Sequence, residues 1–92
     1  MTKVRLYKRA MDDVQKVPRY IQVKLRAWIR GIEIEGLQDL RKVTGYHDEL
    51  LLGKRFGQRS IRLNRSYRAI YRLIRENSIE IVEIFEVNKH EY

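Results

Sequence analysis

At Gly45 the spacing of apolar residues changes, and with it the kind of structure this chain can build. Upstream, Met11 and Val14, then Ile21, Leu25, Trp28, Ile29 and Ile32 recur at intervals of three and four, which gathers them on one face of amphipathic helix. Pro18 falls in the first turn of the longer helix, where its missing N–H costs nothing. Gly36 interrupts the pattern, and Leu37 to Val43 supply one or two further turns before Gly45 ends them. Ahead of the helices, Lys3 to Tyr7 alternates Val4 and Leu6 with charged neighbours, as a short strand does.

Downstream of Gly45 four runs read as strands: Glu49 to Lys54, Gln58 to Leu63, Tyr67 to Arg75 and Ile79 to Val87. Gly53, Gly57, the Asn64 to Ser66 segment and Glu76-Asn77-Ser78 punctuate them, and connections this short make neighbouring strands antiparallel. The last run is apolar on both faces, as a strand covered on both sides would be. The order predicts an α+β fold, with an N-terminal strand and two to three helices packed on one face of a mostly antiparallel four- to five-stranded sheet. The other face is left for a ligand. Without a repeat, a low-complexity tract or a Pro/Gly-rich linker, residues 1–92 are expected to form one domain.

A chain of 92 residues has one core, burying about 60% of the surface its unfolded form exposes. It has no cysteine, so neither disulfides nor a Cys-rich zinc site can hold it, and packing must. The N-terminal stretch is charged every few residues and has no long apolar run, which argues against a signal peptide or a transmembrane helix and leads to a cytoplasmic expectation.

Charge then narrows the partner. From Lys54 to Arg75 there are eight basic residues and no acidic one, while the rest of the chain balances at twelve of each sign. The whole net charge of +8 therefore falls in about a quarter of the chain. Its Lys and Arg are interleaved with Ser, Tyr and β-branched residues, which suits an Arg-studded hairpin presenting directed hydrogen bonds to a polyanion. A nucleic acid fits this best; an anionic membrane surface or a basic housekeeping protein would share the composition.

Gly53, Gly57, Ser60-Ile61-Arg62, Tyr67-Arg68-Ala69-Ile70-Tyr71 and the closing His90-Glu91-Tyr92 carry a resemblance to the RelE/ParE superfamily of bacterial type II toxins, nearest its HigB-like branch. The resemblance spans most of the chain and rests on order and spacing together. It implies a RelE-like fold and a ribosome-dependent endoribonuclease that cuts mRNA in the ribosomal A site, contacts 16S rRNA, and is neutralised by a cognate antitoxin. HigB-like members often carry a His and a Lys where this chain has Glu49 and Leu52; here His47 is displaced by two residues and Lys54 follows the glycine.

Metal-free RNA cleavage needs three things: a base for the 2′-hydroxyl, positive charge for the phosphorane, and an acid for the leaving 5′-oxygen. Arg62 and Arg68 suit the second task, since a guanidinium binds phosphate bidentately and two strands joined by a short turn can bring both to one phosphate. The alternative for both is ion pairing with Glu80, Glu83 or Glu86. His90 is the leading proton-transfer candidate, because an imidazole titrates near neutrality, and Tyr92 offers a phenol to a base or to the reacting oxygen. Each is otherwise a tail residue. His47 and Glu49 are further acid/base candidates. Lys54, Arg55, Arg59 and Arg65 are candidates for RNA phosphates, with plain solvation as the alternative reading of Arg55, Arg59, Arg65, Arg72 and Arg75. No convincing carboxylate or His cluster points to a metal, and no cofactor is expected. Two further functions stay open, a ParE-like gyrase inhibitor and a non-catalytic RNA-binding domain.

Overall fold

Pro18 splits the helical region. Its φ of −57° and ψ of 152° take the backbone out of the helix, and Val17 before it is extended too, as residues preceding proline tend to be. The computed structural model describes residues 2–89. In chain order it contains β1 (Thr2–Leu6), α1 (Lys8–Lys16), α2 (Arg19–Glu35), α3 (Leu37–Arg41), β2 (Glu49–Leu50), β3 (Arg59–Arg62), β4 (Tyr67–Glu76) and β5 (Ile79–Lys89), with 3₁₀ turns at Thr44–Tyr46 and Gly53–Arg55. Pro18 is thus the N-cap of α2, one position ahead of the first turn expected for it.

The strands form one five-stranded sheet in the order β1-β5-β4-β3-β2, parallel between β1 and β5 and antiparallel elsewhere. Ile21, Leu25, Trp28 and Ile32 of α2 are buried as their spacing requires, together with Ala10 of α1 and Leu37 and Leu40 of α3. They pack on Ile61, Leu63, Ala69, Tyr71, Val82, Ile84 and Val87 of the sheet. Trp28 and Tyr71, both with no solvent exposure, meet at 5.1 Å between ring centroids, a contact of about 1 kcal/mol beyond their burial.

Two local features shape the opposite face. Opposite Ile70 stands Glu86, but opposite Tyr71 stands Ile84, so Phe85 is an extra residue in β5. This bulge shifts the alternation by one, turning Val87 into the helix-side core and Glu86 and Asn88 to the face away from the helices. β1 ends level with Ile84, leaving the last part of β5 without a strand on that side. There Tyr7 N–H donates to the Ile84 carbonyl at 3.0 Å, and the Asp13 carboxylate of α1 accepts from Val87 N–H at 3.0 Å. Both groups would otherwise be orphaned.

The run expected as a strand from Glu49 to Lys54 is a strand only at Glu49–Leu50. Gly53 takes φ 72° and Gly57 φ 94°, a region closed to strands and costly for other residues, and between them the chain turns instead of extending.

Candidate nucleic-acid interface

On the sheet face away from the helices, Arg62 and Arg68 are direct cross-strand partners, and Arg68 is in turn opposite Asn88. Directly opposed residues share a face with Cβ atoms about 5 Å apart, so the two arginines lie side by side. The next row across the sheet is Glu49, Ser60, Ile70 and Glu86. A cleft of about 370 Å³ opens beside these rows, lined by Arg9, Arg55, Arg68, Glu86, Asn88 and Lys89.

Two buried glutamates organise the other cations. Glu83 is 3% exposed and accepts from Arg72 Nη2 at 2.9 Å, Arg5 Nη1 at 3.2 Å and the Tyr7 hydroxyl at 3.1 Å. Burial works against its charge, but the bonds from Arg72 and Tyr7 and the charges of Arg72 and Arg5 outweigh it, holding the carboxyl below its ordinary range. Glu86, 5% exposed, accepts from Arg55 Nη2 at 2.9 Å and Asn88 Nδ2 at 2.8 Å, with Arg9 Nη1 at 3.5 Å. Two arginines attend each carboxylate, so the face stays positive even where it is paired.

Arg62 and Arg68 stand outside these pairs. Arg62 is exposed and, among the described residues, makes no hydrogen bond or ion pair. Among the described residues Arg68 reaches only the Asn88 amide oxygen, Nε to Oδ1 at 3.5 Å, and no carboxylate. Glu80, Glu83 and Glu86, the partners that ion pairing would have given them, are held by Arg75, Arg72 with Arg5, and Arg55 with Arg9. The two guanidiniums are therefore available to an anion from outside, and the bidentate geometry of Arg makes phosphate a good match.

No family model and no curated protein matches the chain. Solved structures do. A YoeB/ParE toxin from Agrobacterium tumefaciens has a TM-score of 0.74 at 21% identity, covering 97% of this chain and 99% of that one. YafQ from E. coli has a TM-score of 0.77 at 14% identity, over 98% and 94%. The RelBE2 toxin–antitoxin complex from Mycobacterium tuberculosis contains a chain matching at 0.69 and 25% identity, over 96% of each. This is the RelE-like toxin fold.

Within the RelE-like fold the remaining candidates divide. Arg55 is at the cleft wall, its Nη1 also donating to Gln58 Oε1 at 3.2 Å, and exposed Lys54 precedes it in the same turn. Arg65 is exposed in the connection between β3 and β4, where the Asn64 side chain accepts from Ser66 and Tyr67 N–H. Arg59 is not with them. Residues alternate along β3, so Arg59 points to the helix side, where its Nε donates to Asp48 at 2.5 Å and the Tyr71 hydroxyl donates to the other oxygen of the same carboxylate. Burial, then the Asp48 hydrogen bond and charge, push the Tyr71 phenol far above its usual range, so it remains a neutral donor. The plain solvation considered for Arg55, Arg59, Arg72 and Arg75 does not describe them either, since each is ion-paired.

Asp48 pins the chain just before Glu49, which is opposite Ser60 and so shares a face with Arg62, its diagonal neighbour about 7–8 Å away. His47, at φ 45°, sets its Nε2 3.5 Å from Glu49 Oε2. His90 and Tyr92 lie outside the described residues; Asn88 and Lys89 just before them line the cleft. The sequence alone singled out none of Asp48, Arg9, Asn88 and Lys89, and offered Glu86 only as an ion-pair partner for Arg62 and Arg68. Alternation from Arg62 would find Ser60, but placing Glu86 and Asn88 needs the bulge at Phe85. Among the described residues no group of three His, Cys, Asp or Glu side chains could hold a metal.

Proposed function

We propose that this chain is the toxin of a type II toxin–antitoxin system in the RelE/ParE superfamily, and that it cuts mRNA on the ribosome without a metal. Three lines support this: the Gly53 to Tyr92 resemblance to HigB-like toxins, the RelE-like fold, and a positive sheet face suited to RNA. The observation that carries it is the Arg62–Arg68 pair, side by side across two strands and, among the described residues, with no carboxylate on either, while Arg5, Arg9, Arg55, Arg72 and Arg75 are each ion-paired.

In this reading Arg62 and Arg68 grip the scissile phosphate. A base, for which Glu49 with His47 beside it is the nearest candidate, takes the proton of the 2′-hydroxyl, and the 2′-oxygen bonds to phosphorus. The guanidiniums stabilise the charge gained by the non-bridging oxygens. The P–O5′ bond then breaks, and His90, with Tyr92, protonates the departing 5′-oxygen. The products are a 2′,3′-cyclic phosphate and a 5′-hydroxyl. Lys54, Arg55 and Arg65 hold flanking mRNA or 16S rRNA phosphates, each lowering the salt sensitivity of binding when removed. Arg59 has no such part and serves to anchor the segment before Glu49.

The partners are then the ribosome, mRNA and a cognate antitoxin; the RelBE2 neighbour is itself a toxin–antitoxin complex. Such a protein works in the cytoplasm. Primer extension on a defined message tests the reading: cuts confined to ribosome-bound mRNA and lost in His90→Ala support it. Intact message together with inhibition of gyrase supercoiling at stoichiometric protein would transfer the function to the ParE-like alternative. Salt-sensitive RNA binding with neither activity would leave a docking domain.

A further inference from the structure

The loop beside the cleft carries the two most exposed large apolar side chains among the described residues, Leu52 at 77% and Phe56 at 75%. Scattered apolar residues on a surface need no explanation, but these two border one rigid turn. Leu51 N–H donates to the Gln58 carbonyl at 2.9 Å, closing the loop; Phe56 N–H donates to Gly53 O at 3.1 Å and Gln58 N–H to Arg55 O at 2.9 Å. Between them Arg55 ties the loop to the cleft floor through Glu86 at 2.9 Å. A phenyl ring is thus held out to solvent on a backbone already ordered, so a partner need not bear the cost of ordering it.

The surroundings select the partner. Lys54 and Arg55 precede Phe56 directly, Arg55 lines the same cleft as Arg68, and no acidic residue occurs between Leu50 and Arg75. A flat apolar ring next to guanidiniums that hold phosphate is the arrangement with which proteins bind single-stranded nucleic acid: cations follow the backbone and aromatic faces take the bases. Consecutive Cα atoms are about 3.8 Å apart, so a base on Phe56 and a phosphate at Arg55 can belong to one strand crossing the cleft.

We propose that Phe56 is a stacking platform for an unpaired nucleobase neighbouring the phosphate held at Arg62 and Arg68. This rests on the RNA-cleaving reading and adds to it a contact that carries no charge. Stacking accepts any base, so Phe56 contributes affinity and register without choosing sequence.

The test uses the full chain, fluorescent oligouridine and an abasic oligonucleotide of equal length. Phe56→Ala should bind oligouridine about tenfold more weakly with an unchanged salt slope, whereas Arg68→Ala should lower that slope by about 0.7, one phosphate contact. Because Trp28 is buried, Phe56→Trp adds an exposed reporter; its emission should be quenched by oligouridine and not by the abasic strand. Binding by Phe56→Ala within twofold of the parent, or equal quenching by both strands, overturns the stacking role and leaves RNA binding standing. Failure of the parent to bind oligouridine likewise overturns the stacking role, while cleavage on programmed ribosomes decides the RNA-cleaving reading separately.

Discussion

Tyr71→Phe removes one hydroxyl from the helix side of the sheet, and its effect can be worked out from the contacts. The Asp48 side chain is 2% exposed and has two partners among the described residues, the Tyr71 hydroxyl and Arg59, whose side chain is 20% exposed. A hydrogen bond to a buried charged acceptor contributes about 1.5–3 kcal/mol, and since Arg59 still holds Asp48 in the variant, the loss should be near the lower end, about 2 kcal/mol. In a domain of this size that is roughly a 10 °C fall in Tm. Asp48→Ala strands both the phenol and a mostly buried guanidinium, which partly rehydrates, so it should cost more, about 3 kcal/mol. The double variant should lose at least about 1 kcal/mol less than the sum, because the two groups share one bond. Urea unfolding followed through Trp28 reads all three, the indole being 5.1 Å from the Tyr71 ring. The linkage has a definite sign. With its folded pKa raised, Tyr71 binds its proton more tightly in the native state, so its contribution is complete below about pH 10 and is lost above it, as the unfolded chain ionises first. Tyr71→Phe should flatten that alkaline limb; Tyr46, raised by burial, leaves a residual slope. A Tyr71→Phe variant within about 0.5 kcal/mol of the parent, or strictly additive single effects, would refute this account of the triad.

The remaining expectations concern the sheet's charged face and its edge. Glu83 has a lowered folded pKa, so its stabilisation is present above pH 4.5 and lost as pH falls below that value through the folded one; Glu83→Gln should weaken the acid limb of a urea-midpoint profile from pH 7 to 3, and an identical limb would contradict the assignment. Asp13→Ala should cost about 1–2 kcal/mol by orphaning Val87 N–H, and hydrogen exchange at Val87 should quicken more than at Val82. Arg75→Ala should change unfolding free energy by less than about 1 kcal/mol, since its pair with Glu80 is exposed, and a larger loss would mean the edge is more tightly coupled than its geometry shows.

The helix face was legible from Ile21, Leu25, Trp28 and Ile32 alone, because a period of 3.6 admits one buried stripe, and the strand punctuation yielded the hairpins. The pairing of Arg62 with Arg68 followed from the short turn between their strands. What escaped depended on single backbone departures. An inserted residue at Phe85 is invisible in composition, yet it decides that Glu86 and Asn88 face the cleft and Val87 the core. The glycines at 53 and 57 signalled a break, but not that the predicted strand would give way to a closed loop carrying Arg55 and Phe56. Arg59 was assigned to RNA because it is basic, whereas alternation along β3 puts it on the other face, beside an aspartate that charge counting treats as ordinary.

The proposed cleavage requires Arg62 and Arg68 to hold the same phosphate. Single-turnover cleavage of an mRNA on programmed ribosomes, measured for the parent, Arg62→Ala, Arg68→Ala and the double variant, tests this directly. Two guanidiniums on one phosphorane should each be worth about a hundredfold in rate, and the double variant should fall well short of the product of the two losses. Multiplying losses, or cleavage near the parent rate in either single variant, would mean that the two arginines act apart and that the reacting phosphate is held elsewhere.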